Sequence, residues 1–273
     1  MVPRSGASHL RSEFRGSGSW HFLVTPPASG AENMALDEAL MDRARATGEW
    51  TLRVYSWSVP TLSLGRNQTA RGRYDLDRIR ERGLDVVRRP TGGRAILHHR
   101  EVTYSVTAPT ATAGELGESY HRINRLLLAA LRSLGVGATV AEPTTRSISP
   151  GMSPCFDEPA AGELVVGERK LAGSAQWRID GALLQHGSIL VADDQSSLAE
   201  LAVEGQSPIT PPATLAEALG WQPSVEDVAA ALREAVRVLE DPHVTNLEID
   251  ADLRARTSGL IVRYSDDAWT WRR

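Results

Sequence analysis

Cysteine is almost absent from this chain of 273 residues: Cys155 stands alone, which excludes an internal disulfide framework and any metal site built from cysteines only. Long apolar runs are missing too. No stretch approaches the roughly 18 to 20 apolar residues needed to span a bilayer, so a protein in solution, in the cytoplasm and without a membrane partner, is expected. There is no excess of positive charge. A net charge of -4 argues against a general nucleic-acid binder, whose footprint is a strongly basic domain, and leaves room only for a local basic patch. Neither GxGxxG nor GxxxxGK[ST] occurs, so the dinucleotide and nucleoside-triphosphate fingerprints are lacking. Residues 1–19 carry three arginines and one acid but no apolar stretch of the secretory kind, and they read as a disordered tail.

What is present suffices for a full core. Apolar residues make up 41% of the chain, and with no internal repeat or linker, residues 20–273 are expected to form a single domain. Trp20 to Thr25 reads as a strand, and after Pro26-Pro27 the spacing of Met34, Leu36, Leu40 and Met41 predicts an amphipathic helix over Glu32 to Arg45. Strand-like pieces follow at Leu52 to Trp57, Thr61 to Leu64, Asp85 to Arg89 and Thr103 to Thr107, with a short helix at Leu76 to Arg82. A longer helix is expected at Glu118 to Leu134, then a strand at Val136 to Ala141 and a Ser/Thr/Pro-rich loop from Glu142 to Pro154 that delivers Cys155. Antiparallel strands at Glu163 to Val166, Lys170 to Arg178 and Leu183 to Val191 are joined by turns at Gly167-Glu168 and Asp180-Gly181. Helices at Leu198 to Ala202, Leu215 to Leu219 and Val225 to Leu239 complete the prediction, and the segment Tyr264 to Arg273, with Trp269 and Trp271, is expected to pack back on the body. Strands and helices interleave irregularly, which points to an α+β fold.

Three segments concentrate chemistry. Arg88-Arg89-Pro90-Thr91-Gly92-Gly93-Arg94-Ala95-Ile96-Leu97-His98 sets paired arginines and glycines between two strands, a cradle in which backbone N–H groups can approach an anion or carboxyl derivative; a plain turn with solvated arginines is the alternative. Lys170 to Gln176 and Gln185 to Leu190 carry small residues against which a long ligand can lie. By itself Lys170 reads as a surface cation and His186 as a structural hydrogen-bonder. A lone thiol is either buried filler or a reagent.

Taken together, the strings RRPTGGRAILH, CFDEPAAGELVVGERKLAGSAQWR and LLQHGSILV, in that order, closely resemble the superfamily of lipoate–protein ligases, octanoyltransferases and biotin ligases. Trp57 to Arg66 and Asn33 to Leu40 match its earlier landmarks, and the similarity runs from Trp20 to Val191. Cys155-Phe156 shortly before the Lys170 strand resembles the cysteine-dependent branch, the octanoyl-acyl-carrier-protein:protein N-octanoyltransferases and related amidotransferases. Arg94, where ligases typically carry a third glycine, points the same way. His99 departs from the aspartate usual after the loop histidine.

The resemblance implies mixed, largely antiparallel sheets flanked by helices, as in the biotin/lipoate protein ligase catalytic domain. It implies that Cys155 carries an acyl thioester and that Lys170 lowers the thiol pKa. Arg89, Thr91, Gly92, Gly93, Arg94, His98, Gly173, Ser174, Ala175, Gln176, His186, Gly187 and Ser188 are then the substrate-binding residues. The implied donor is acylated acyl carrier protein, and the acceptor is a lysine of a lipoyl-domain or glycine-cleavage H-type protein. Thioester exchange followed by amide formation runs downhill, so the expectation includes no cofactor and no metal. A monomer is expected. Arg66, Arg88, Arg89, Arg94 and Arg100 are the cations expected to meet phosphopantetheine or an acidic carrier. Two other readings stand beside this one: an ATP-dependent lipoate or biotin–protein ligase with Cys155 a bystander, and a non-catalytic acyl-binding homologue.

Overall fold

Pro26-Pro27 breaks the chain after its first strand; the Ser29 side chain then accepts from the Glu32 amide while Glu32 bonds back to the Ser29 amide, a capping box that starts a helix. This helix opens a strand–helix–strand unit in the computed structural model, which describes residues 18–142, 162–203 and 210–273. In chain order its elements are β1 (Trp20–Val24), α1 (Gly30–Thr47), β2 (Trp50–Tyr55), β3 (Thr61–Leu64), α2 (Leu76–Glu81), β4 (Asp85–Arg88) and β5 (Ile96–His98). Next come β6 (Glu101–Pro109), α3 (Thr110–Ala113), α4 (Leu116–Ser133), β7 (Thr139–Val140), β8 (Leu164–Val166), β9 (Arg169–Ile179) and β10 (Ala182–Leu190). The remainder is α5 (Ser197–Leu201), α6 (Leu215–Leu219), α7 (Val225–Leu239), β11 (Thr245–Asn246), α8 (Ala251–Tyr264) and α9 (Asp267–Thr270). The tail expected over 1–19 and the loop expected over 142–154 fall outside the described residues, apart from their edges.

An eight-stranded sheet runs β11-β1-β2-β6-β10-β9-β8-β7, and a three-stranded sheet runs β4-β3-β5. β1 pairs parallel with β11 and β2, and β3 with β4; the other pairings are antiparallel. This is the mixed, largely antiparallel α+β architecture expected. Asp180 (φ 49°) and Gly181 (φ 83°) are both left-handed, the type I′ geometry that joins β9 to β10 tightly.

Side chains alternate along a strand, and here the two faces of the large sheet differ in chemistry. Leu52 and Val54 on β2, with Val102, Tyr104 and Val106 on β6, face the apolar core completed by Ile123, Leu126 and Leu127 of α4 and Val228, Leu232 and Val236 of α7. Burying each such side chain contributes about 1.5–3 kcal/mol. Their neighbours Arg53, Tyr55, Thr103, Ser105, His186 and Ser188 are buried on the opposite face, toward α1. That helix is present as expected, but it is buried well beyond one apolar stripe. Asn33, Met34, Ala35, Leu36, Asp37, Ala39, Leu40, Met41 and Ala44 are all buried, because α1 is held between the sheet and α8.

Other differences are smaller. The strand expected over Val136 to Ala141 shrinks to β7. No element was expected at α8, where Leu253 and Tyr264 alone are buried and Thr257-Ser258-Gly259 interrupts the apolar pattern. The terminal segment does fold back: Arg88 donates to the Thr270 carbonyl at 2.7 Å, Trp269 Nε1 donates to the Arg88 carbonyl at 2.8 Å, and the amides of Ala70 and Arg71 donate to the Arg273 carbonyl. A strap is thus stitched to the three-stranded sheet.

At the interface of α1 and the large sheet, Arg53 (1% exposed) pairs with Asp37 (0% exposed) at 2.8 Å and also donates to the Asn33 side chain, the Asn33 carbonyl and Thr25. Removing one partner of such a pair leaves a buried charge uncompensated. Arg53→Met is therefore expected to lose about 3–5 kcal/mol of stability in urea titrations, and an unshifted midpoint would show the pair to be dispensable.

Candidate active site

Between the polar face of the large sheet, α1 and the three-stranded sheet lies a cavity of about 220 Å³, small beside the roughly 300–1,000 Å³ of drug-sized ligand sites. Of the residues singled out in the sequence, Arg89, Gly93, Arg94, His98, Lys170, Gly173, Ser174, Ala175, His186, Gly187 and Ser188 line it. Thr91 and Gly92 stand behind that wall. Gln176 points elsewhere, bonding to Ser119 and to Gln185, and lines a second, more open cavity beside Tyr120 and Val140. Cys155 lies outside the described residues.

The glycine loop is built around Arg89. Its guanidinium donates to the carbonyls of Ser63, Gly92 and Arg94 at 2.9, 3.1 and 2.7 Å, so this cation shapes the loop. Gly93 is left-handed at φ 97°, and a Cβ there would meet the Arg89 guanidinium at 2.6 Å. Gly65 packs beneath: a Cβ on it would lie 1.9 Å from the Gly93 oxygen. Among the described residues the amides of Gly92, Gly93 and Arg94 donate to no protein acceptor. Gly93 and Arg94 reach the cavity, so their amides are candidates for receiving an anionic oxygen.

Behind the loop, His186 Nδ1 is 3.1 Å from Asp37 Oδ2 and its Nε2 is 2.6 Å from the Thr91 hydroxyl. Burial pushes the imidazole below its usual value; Asp37 opposes that, while Arg89 and His98 add to it. Neutral His186 accordingly donates to Asp37 and accepts from Thr91. For Asp37, burial pushes the carboxyl up, but His186, the Arg53 charge and Ser105 outweigh it and leave it below the ordinary range. Tyr55 OH also donates to Asp37 at 2.9 Å, and burial followed by the Asp37 charge holds this phenol far above its usual range, so it remains a donor.

Lys170 reaches the cavity through an irregular pairing. Val165 pairs with Lys170 but Leu164 with Ala172, so Leu171 is an extra residue in β9. Such a bulge re-aims the alternation, bringing Lys170 to the face of Gly173 and Ala175. Lys170 is 2% exposed and Nζ lies 2.6 Å from Glu163 Oε1, so the surface cation suggested by its residue type is a buried member of an ion pair.

On the side toward β6, His98 stacks on Trp57 at 4.0 Å, and its Nδ1 lies 2.6 Å from Glu101, which also accepts from Thr103 and Ser188. His99, by contrast, turns outward to Asp194 at 2.8 Å and does not line the cavity. Met34, Tyr55, Trp57, Ile96, Thr103 and Glu163 also line it and were not named as site residues beforehand. Met34, Trp57, Ile96 and Glu163 all lie inside the strings that carry the resemblance, but no role attaches to them there.

The expected cationic rim changes membership. Arg88 is fully buried, donating to the carbonyls of Gly65, Gln68 and Thr270, and is part of the framework. Arg66 stacks over Trp177 at 4.7 Å beside the loop, and Arg272 donates to the Arg66 carbonyl at 2.5 Å. Among the described residues Arg66, Arg94 and Arg272 form no ion pair, no cluster of His, Cys, Asp and Glu could hold a metal, and no helix is long and apolar enough to cross a membrane.

Comparison with known proteins gives a consistent picture. Residues 29–237 match the lipoyl protein ligase A/B catalytic domain family. The octanoyltransferase LipM of Kyrpidia tusciae is 38% identical over 93% of this chain and 99% of its own length. That of Symbiobacterium thermophilum is 39% identical over the same shares. A solved bi-partite lipoate protein ligase from Thermoplasma acidophilum superposes with a TM-score of 0.74 at 21% identity, covering 93% of this chain and 96% of that one, a likeness of fold.

The buried His186–Asp37 pair makes stability depend on pH. Both groups titrate lower in the fold than free in water, so the unfolded chain takes up their protons first and the fold loses stability on acidification. The His186 contribution should be complete above about pH 6.5 and decline below it, with Asp37 adding a loss below about pH 4. Urea midpoints measured down this range should fall, and more steeply in wild type than in His186→Gln; parallel curves would remove His186 from the account.

Proposed function

Because the chain belongs to the lipoyl protein ligase A/B catalytic domain family and is an acyltransferase, we propose that it transfers an octanoyl group from octanoyl-acyl carrier protein to a lysine of a lipoyl-domain or H-type protein. Residues 20–273 act as one catalytic domain, as a monomer in the cytoplasm. The observation that carries the reading is Lys170, whose ammonium is fixed in the wall of a narrow cavity beside a loop with free amides.

In the first half-reaction the Cys155 thiolate attacks the carrier thioester, the carbonyl–sulfur bond to the carrier breaks, and the pantetheine thiol leaves with a proton. A thiol of pKa near ~8.5 is only a few per cent ionised at neutral pH, and the Lys170 ammonium favours its thiolate. The amides of Gly93 and Arg94 would receive the developing oxyanion. In the second half-reaction the deprotonated acceptor amine attacks the same carbonyl, an amide bond forms, and the Cys155 sulfur departs. Overall one thioester bond is exchanged for one amide bond, a downhill exchange, so no nucleotide is consumed.

The acyl chain would lie along Gly173, Ala175, Gly187 and Ser188, toward Trp57 and Met34, where small residues leave room. A Cβ at Gly187 would strike the Gly173 oxygen at 2.3 Å, so the floor admits no larger residue there. Arg66, Arg94 and Arg272 supply the cationic rim for the phosphate of the carrier arm, an attraction weakened by salt.

Intact-mass measurement after exposure to octanoyl carrier protein is expected to show one added octanoyl group on the wild type and none on Cys155→Ala, with ATP-free transfer falling to background in the variant. Full activity of Cys155→Ala, or an absolute requirement for ATP, would favour the ligase reading. Acyl thioesters of graded length in the same assay report which chain the cavity takes.

A further inference from the structure

The partner of Lys170 is a titratable group to which the proposed reaction assigns no part. Glu163 is 8% exposed, lines the cavity and lies 2.6 Å from the Lys170 ammonium. Its backbone is fixed from both sides: its carbonyl accepts from the Ala141 amide at 2.8 Å, and the carbonyl of the preceding Gly162 accepts from Asn124 Nδ2 at 2.5 Å. The β8–β9 hairpin, with its extra residue at Leu171, then brings the carboxylate and the ammonium to one spot. The charge of Glu163 is also felt by two buried phenols, Tyr104 and Tyr120, which are raised by burial first and by this carboxylate in addition, Tyr104 to about 12. Both phenols therefore stay protonated and leave the negative charge of this corner on Glu163.

We infer that Glu163 is a positioning residue for the acyl transfer: its carboxylate holds the Lys170 ammonium at the cavity wall and keeps it protonated while the thioester is made and broken. This rests on the proposed acyltransferase reading. A lone ammonium in such a wall is the form that burial disfavours. A carboxylate within hydrogen-bond distance reverses that preference and also sets the direction of the Nζ–H bonds. Among the described residues the other charged or titratable groups facing this space are Arg89 and Arg94 from the glycine loop, His98 of β5, His186 of β10 and Tyr55 of β2. Both arginines oppose a second cation there, so Glu163 supplies the compensating charge from the β8–β9 side.

The test is the pH dependence of acyl-enzyme formation in Glu163→Gln and Glu163→Asp, with circular dichroism to confirm that each is folded. In Glu163→Gln the alkaline limb of the profile should move acidward by about one unit, a roughly tenfold loss on that limb, with KM for the acyl donor little changed. Glu163→Asp, which keeps the charge on a shorter arm, should restore most of the wild-type profile. A uniform loss at every pH, or a Glu163→Gln profile superimposable on wild type, would overturn the inference. Should Glu163→Gln fail to fold, the 15N shift titration of Lys170 Nζ in the wild type replaces it: an ammonium that persists to alkaline pH is expected, and loss of its proton well below the range of a free lysine would overturn the inference. Two controls separate the levels: a wild type that takes up no acyl group from the carrier thioester defeats the acyltransferase reading itself, whereas if the wild type is acylated and Lys170→Ala loses transfer while Glu163→Gln does not, only the role of Glu163 fails.

Discussion

A carboxylate sealed from water must be met by donors, and Asp37 meets four: Arg53 at 2.8 Å, Ser105 at 2.8 Å, Tyr55 at 2.9 Å and His186 at 3.1 Å. These come from β2, β6 and β10, while Asp37 itself belongs to α1, so one side chain ties the helix to three adjacent strands. The arrangement is possible because strand alternation puts Arg53 and Tyr55, and likewise Thr103 and Ser105, on the same face of the sheet. Through His186 the tie extends to Thr91 and thus to the glycine loop. The loop's shape and the attachment of α1 are consequently one problem, solved by one network whose members are worth more together than singly.

The cavity uses the two halves of this framework differently. One wall is polar and rigid, with His98, Glu101, Thr103 and Ser188 bonded to one another and Trp57 stacked across the imidazole. The rest of the lining includes small residues on β9 and β10, where Gly187 meets the Gly173 carbonyl and Ser174 too closely for any side chain. A slender chain suits such a slot better than a broad ring system. Reactive charge is confined to one corner by the β8–β9 hairpin, while the arginines Arg66, Arg94 and Arg272 gather near the loop without carboxylate partners among the described residues. In the proposed reaction, attraction of an anionic arm and chemistry on the chain it carries would thus fall to separate groups.

Much of this was legible in the sequence because it is local. Thr61–Leu64, Leu215–Leu219 and Val225–Leu239 have the predicted limits, since alternation, a Thr or Ser cap and a proline nearby mark their ends. The three ordered motifs pointed to the cavity, and the majority of the residues chosen from them line it. What stayed hidden depends on tertiary contact. The spacing of Met34, Leu36, Leu40 and Met41 marks an amphipathic helix, yet the polar Asn33 and Asp37 of α1 are buried as well, by partners distant in sequence. Arg88 and Arg89 look alike in the string, but one braces carbonyls of the framework while the other shapes the loop at the cavity. Lys170 reads as a surface cation from its residue type alone, and nothing in the string marks the extra residue at Leu171 that turns it inward; Glu163 gains meaning only once the hairpin closes.

The strap at the C-terminal side also bears on how this molecule is made. Arg88 is satisfied by the Thr270 carbonyl, 182 positions later, and at about 5–20 residues per second a ribosome supplies that carbonyl roughly 9–36 s after Arg88 itself. Until then the Arg88 Nε–H lacks its partner in the fold, and the small sheet beside the glycine loop lacks the strap that covers it. Vectorial synthesis therefore leaves β3, β4 and the glycine loop of the nascent chain without this brace until residues 269–273 emerge, and a chain truncated near α8 would lack it altogether.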